Sequence, residues 1–276
     1  MTENRPFVGI ALLGLPTDVM SSHMKGPALA PARIREVMFD GSSNLCSETG
    51  LDLEGHPAFR DAGDLILNDD AGMIDQVEEG VSRLLVQGER VLSLGGDHAV
   101  TFPIMRAYGR HFKDLTILHF DAHPDLYDHY EGNQYSHACP FARIMEEGLA
   151  KRLVQVGIRT LNDHQRTQAR RFGVEIHEMR HFDPLLQLNL EGPVYVTLDL
   201  DALDPAYAPG VSHQEPGGLS TRDVLRIIHQ VKGPIVGADV VELNPLRDRD
   251  HMTARVAAKF TRELAAAMIT SLPGKP

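Results

Sequence analysis

Three short stretches carry residue types that bind divalent metals, at spacings that let them act together. In Asp121-Ala122-His123-Pro124-Asp125 the polar residues alternate, so in extended backbone Asp121, His123 and Asp125 point to one side. Asp199 and Asp201 share the same spacing, with Asp204 close behind as a partner to a ligand or a loop cap. His98 follows Gly95-Gly96-Asp97, where glycines permit the tight turn that brings an imidazole to a sheet edge. Singly, each of these pieces is usually a turn, a cap or a surface pair. Together, four carboxylates and two neutral imidazoles balance two divalent cations, and without cations that much like charge is unfavourable. An oxygen-rich set with one nitrogen per metal suits Mn2+ better than Zn2+, and Ni2+ binds the same donors more tightly. Two such ions about 3.5–4 Å apart share a water and bring its pKa toward neutrality, which is hydrolytic chemistry.

These residues need a scaffold that delivers them to one place. Short apolar runs alternate with helical patterns along the chain. Strands are predicted at Val8–Gly14, Arg90–Leu94, Leu115–Phe120, Leu153–Ile158, Val174–Glu178, Val194–Leu200 and Ile235–Val241. Helices are predicted at Ala28–Phe39, Asp69–Val86, Val100–His111, Cys139–Gly148, His164–Phe172, Thr221–Val231 and His251–Ser271, with Ser220 or Thr221 as a cap. Alternation of this kind, with near-continuous apolar strands, argues for a parallel sheet covered on both faces. Ligands of such sheets bind at the carboxyl ends of the strands. The polar clusters at Gly95–His98, Asp121–Asp125, Asp199–Asp201 and Glu242 all directly follow apolar runs. His119, inside its strand, reads as a hydrogen-bonded core or wall residue.

Composition narrows the class. The 276 residues suit one large α/β domain, read as residues 1–276, with no repeat or Pro/Ser-rich linker. A formal charge of −11 argues against nucleic acid and suits small cationic solutes. No stretch approaches the roughly 20 apolar residues that span a bilayer. The N-terminal stretch through Pro16 lacks a small-residue cleavage site and reads as a first strand rather than a signal peptide. Two cysteines, Cys46 and Cys139, cannot form a disulfide framework, so a cytoplasmic location is expected.

In combination, GGDHAV, FDAHPD, the Ser136-His137 pair, TLDLDALDPAYAPG and EPGGLS resemble the arginase/agmatinase (ureohydrolase) signature in the family's order. The segments EGNQYSHACPFARIMEEG, LVQVGIR, GADVVELNP and MTARVAAKFTREL are most similar to plant-type arginases and related bacterial agmatinase-like proteins. The resemblance runs from about Gly9 to Ala266. It implies a single three-layer α/β/α domain with a mostly parallel sheet of about eight strands. It also implies a dimanganese centre and a homotrimer or homohexamer. By motif, His98, Asp121, Asp125 and Asp199 would bind one metal, and His123, Asp121, Asp199 and Asp201 the other, with Asp121 and Asp199 bridging. A metal-bridging hydroxide would then attack a guanidinium carbon, with Asp125 among the residues around it. Glu242 would hold the guanidinium through paired N–H bonds, and His137 matches the family's proton-shuttle histidine.

The tail of the substrate is less clearly marked. Animal-type arginases read the α-carboxylate with donors in the loop after the Asp125 motif, and the α-ammonium with an Asp after the following strand. Here Asn133 is a candidate donor, and Glu131 would repel a carboxylate unless turned away. Asn162 stands at the second position, either facing the substrate or capping the next helix. His213 is expected at the entrance. Arginine is favoured over agmatine, with 4-guanidinobutyrate and guanidine open. The GNH[ED] and GHxH blocks of metallophosphoesterases and the tandem His pair of acyl-lysine deacetylases are absent. A non-catalytic subunit that partners an active homologue is the alternative outside enzymes.

Overall fold

A computed structural model of the protein describes residues 7–271; residues 1–6, the start of the N-terminal stretch read above, lie outside them, as do 272–276. Eight strands form one parallel sheet: β1 (Gly9–Leu15), β2 (Phe59–Asp64), β3 (Glu89–Gly95), β4 (Thr116–Phe120), β5 (Arg152–Ile158), β6 (Glu175–Glu178), β7 (Val194–Asp199) and β8 (Ile235–Val241). Their order is β2-β1-β3-β8-β7-β4-β5-β6. The helices are α1 (Ala30–Met38), α2 (Met73–Val86), α3 (Thr101–Gly109), α4 (Pro140–Glu146), α5 (Asp163–Phe172), α6 (Thr221–His229) and α7 (Met252–Thr270).

The inner strands are apolar on both faces because helices cover both. Leu12, Leu92, Phe120, Val196 and Val240 pack towards α1, α6 and α7. Val91, Ile117, Leu153, Tyr195 and Val236 pack towards α2, α3 and α4, with α5 contributing Ala169. Each large apolar side chain removed from water contributes about 2 kcal/mol to this three-layer arrangement. Ser220 starts α6 with a capping box: its side chain accepts from Asp223 N–H while the Asp223 carboxylate accepts from Ser220 N–H.

Strand β2 is not among the predicted strands. Its residues, Phe-Arg-Asp-Ala-Gly-Asp, show no apolar run because the strand lies at the sheet edge and its carboxylates serve another purpose. Arg35 on α1 donates to both Asp61 and Asp64, tying that edge to the helix. The second helix begins at Met73 rather than Asp69, because Asn68–Gly72 is used in turns. β3, β8, β7 and β4 are neighbours, so parallel pairing brings their carboxyl ends side by side.

Candidate metal centre

The turns after those four neighbouring strands meet in a buried cluster of acids and imidazoles. His98 arrives from the turn after β3, Asp121, His123 and Asp125 after β4, Asp199 and Asp201 at the end of β7, and Glu242 after β8. The turn to His98 depends on Gly96, since a Cβ there would fall on the Thr17 carbonyl oxygen. Asp125 and Glu242 take positive φ angles (49° and 66°), backbone conformations that cost non-glycine residues energy and that collect at functional sites.

His98 Nδ1 faces three carboxylate oxygens: Asp121 Oδ2 and Asp125 Oδ2 at 3.2 Å, and Asp199 Oδ2 at 3.3 Å. Its opposite nitrogen explains why. Thr197 Oγ1 donates to Asp239 Oδ1 (2.6 Å), so that hydroxyl oxygen accepts from His98 Nε2–H (3.0 Å). Neutral His98 then carries its proton on Nε2 and a lone pair on Nδ1. That lone pair is buried, makes no hydrogen bond and points among three carboxylates. Only a cation or a proton there makes the arrangement favourable. Burial lowers the His98 pKa, but Asp121, Asp125 and Asp199 outweigh it and hold it well above the usual imidazole range without metal.

A second cluster shares Asp121. His123 Nδ1 lies 3.3 Å from Asp121 Oδ1 and 3.1 Å from Asp201 Oδ2. Asp121 thus turns one oxygen to each cluster. Asp199 gives Oδ2 to the first, while its Oδ1 accepts from the Asp201 N–H (2.8 Å). Burial and neighbouring acids push Asp199 well above the usual carboxylate range, and burial raises Asp201 to about 6. Such a donor set fits two divalent cations, four carboxylates and two imidazole nitrogens.

His119 also approaches Asp121 but has a different role. The Gln155 amide donates both to His119 Nδ1 (2.9 Å) and to Pro124 O (2.7 Å), so the ring proton sits on Nε2 and donates to Asp121 Oδ2 (2.8 Å). His119 therefore orients a carboxylate. Thr197, Asp239 and Gln155 were not singled out in the sequence. Their signal is a polar residue within an otherwise apolar strand run. Asp204 caps its loop, accepting from Ala206, Gly217 and Gly218 N–H groups.

Glu242 and His137 stand together beside the clusters. Glu242 Oε1 accepts from His98 N–H and from His137 Nδ1, both at 2.9 Å, which leaves Oε2 for a ligand. Beside them lies a cleft of about 190 Å³ whose lining includes His123, His137, Glu242, Tyr127, Thr160 and Gln165. His213 also lines the cleft, its ring 5.3 Å from that of His137. Asn133 and Asn162 are not brought to the wall. The Asn133 amide is used on Tyr135 N–H and Met20 Sδ. Asn162 caps α5 by accepting from Gln165 N–H, and its NH2 donates to Tyr127 OH. Glu131 is exposed at the tip of its loop, away from the cleft.

The arginase family profile matches residues 8–267. The chain belongs to the arginase family. Arginase 1, mitochondrial, of Arabidopsis thaliana is 51% identical over 274 residues, covering 93% of this chain and 80% of the plant protein. An agmatinase of Bacillus anthracis is 36% identical, covering 92% of this chain and 90% of its own. Among solved structures, the arginase of Medicago truncatula superimposes with a TM-score of 0.90 at 47% identity, over 95% of this chain and 87% of the other. Proclavaminate amidinohydrolase of Streptomyces clavuligerus reaches 0.84 at 29% identity, over 97% and 94%. The family member described here is a ureohydrolase of the arginase type, acting on a guanidinium substrate through a binuclear metal site. Among its described residues no helix is long and apolar enough to cross a membrane.

Proposed function

We propose that this protein hydrolyses L-arginine to urea and ornithine with two Mn2+ ions. The observation that carries the reading is the pair of clusters joined through Asp121, one oxygen towards His98 and the other towards His123. His98, Asp121, Asp125 and Asp199 would hold one ion, and His123, Asp121, Asp199 and Asp201 the other. When bound, such a pair supplies a nucleophile at neutral pH by acidifying water and polarises the group attacked. The free Oε2 of Glu242 receives guanidinium N–H groups and sets the plane of the substrate, while Oε1 is anchored by His98 and His137. His137, touching Glu242 through Nδ1, delivers a proton to the departing amine, which leaves poorly unless protonated.

Tail recognition rests on neutral groups. Among the described residues no Lys or Arg lines the cleft, and its lining offers the neutral side chains of Tyr127, Tyr130, Thr160 and Gln165. Gln165 is 3% exposed and lines the cleft. It can give NH to a carboxylate or its carbonyl to an ammonium. Arginine is supported by the plant arginases at about half identity. Agmatine is the second reading, because a wall without a cation does not require a carboxylate. A homotrimer or homohexamer in the cytoplasm accompanies this proposal; light scattering on the purified protein tests the assembly. The substrate is decided by kcat/KM for arginine and agmatine. A value for agmatine equal to or above that for arginine overturns the arginine assignment.

A further inference from the structure

Ser22 makes two contacts with a single atom of His137. Its backbone N–H donates to Nε2 (3.2 Å), and its hydroxyl lies 2.8 Å from the same nitrogen. The strap that carries Ser22 is anchored by a buried acid: Met20 N–H and Ser21 Oγ donate to Asp97 Oδ2 at 3.0 and 3.1 Å. The strap is also tied to the loop it serves, since His137 N–H donates to Met20 O (3.1 Å). These bonds hold the Ser22 peptide against the ring.

A peptide N–H donates and cannot accept, so it favours an unprotonated Nε2. Neutral His137 then keeps its proton on Nδ1, where it donates to Glu242 Oε1 (2.9 Å). The hydroxyl behaves differently. It donates to a bare Nε2 and, by rotating, accepts from Nε2–H once the ring is charged. We propose that Ser22 is a positioning residue for His137, its N–H selecting the Nδ1-protonated tautomer and its hydroxyl giving the charged ring a partner. The consequence for turnover rests on His137 as proton donor; the tautomer rests on the contacts alone.

The groups facing the ring are Glu242 after β8, Asp97 after β3, Asp125 after β4 and His213 in the loop before α6. Burial lowers the His137 pKa, and the charge of Glu242 and its hydrogen bond to Nδ1 raise it. The Ser22 N–H opposes that rise, and the hydroxyl supports it. Ser22→Ala keeps the N–H and removes the acceptor, so the charged ring loses a partner while the neutral ring keeps one. The His137 pKa should therefore fall by about one unit.

Histidine-15N NMR of the protein loaded with diamagnetic Zn2+ tests this directly, with His137 assigned by the signals lost in His137→Asn. The expected result is a neutral ring protonated on Nδ1, a titration moved down by about one unit in Ser22→Ala, and recovery in Ser22→Thr. In turnover, the alkaline limb of kcat should move down equally in Ser22→Ala with KM unchanged. A neutral ring protonated on Nε2, or a Ser22→Ala titration at or above that of the parent, overturns the proposal. These spectra decide it even if the protein releases no urea, so the two readings fail separately.

Discussion

Thr197 Oγ1 sits 3.0 Å from His98 Nε2, and this contact determines which face of the imidazole can meet a metal. The hydroxyl is oriented by Asp239, which also accepts from Thr101 and Tyr195, so the contacts are fixed by buried residues of β7, β8 and α3. Replacing Thr197 with Val keeps the shape and removes the acceptor. Metal affinity should drop roughly 10- to 100-fold, the range found when partners of metal-binding histidines are lost. Titration of the metal-free variant with Mn2+ measures it; an unchanged Kd would remove Thr197 from the site.

Glu242→Gln separates substrate holding from metal holding. The amide oxygen can still accept from His98 and His137, but the charge opposite the guanidinium is gone. Turnover should fall between about 10-fold and about 100-fold while metal content stays normal. Unchanged kinetics would exclude Glu242 from the mechanism.

The metal-free protein should lose stability as pH rises. His98 and His123 have folded-state pKa values raised well above 6.5 by their carboxylate partners, so their contribution is complete below 6.5 and lost as pH climbs through the raised values. Asp199 and Asp201 act in the same direction: buried and raised, they favour the folded chain when protonated and disfavour it on ionising, Asp201 near about 6. Asp121, held low, acts oppositely but below its ordinary value of 3.8. Between about pH 5 and about pH 8 the Tm of metal-free protein should therefore fall, and the gain on adding Mn2+ should widen, since cations replace protons. A gain that shrinks with pH would mean that the metal binds elsewhere.

Much of this was legible in the sequence, for physical reasons. Apolar runs such as VYVTLD and IVGADVV announce strands buried on both faces, and the residues directly after them lie at one edge of a parallel sheet. Strand β2 was not legible because an edge strand needs no apolar run, and its acids pair with Arg35. Contacts across long separations were also hidden. Ser22 and His137 are 115 residues apart, and nothing local in either segment marks the pairing. Asn133 and Asn162 illustrate the opposite difficulty: both are plausible donors by position, yet their amides are engaged by turn, cap and neighbouring side-chain contacts.

The most direct measurement is urea released by protein carrying two Mn2+ per chain, offered arginine, agmatine, 4-guanidinobutyrate and guanidine separately. The predicted result is urea in step with an amine product, fastest from arginine, and abolished when the metals are removed. Two bound metals with no urea from any of the four would contradict it and favour a non-catalytic partner subunit.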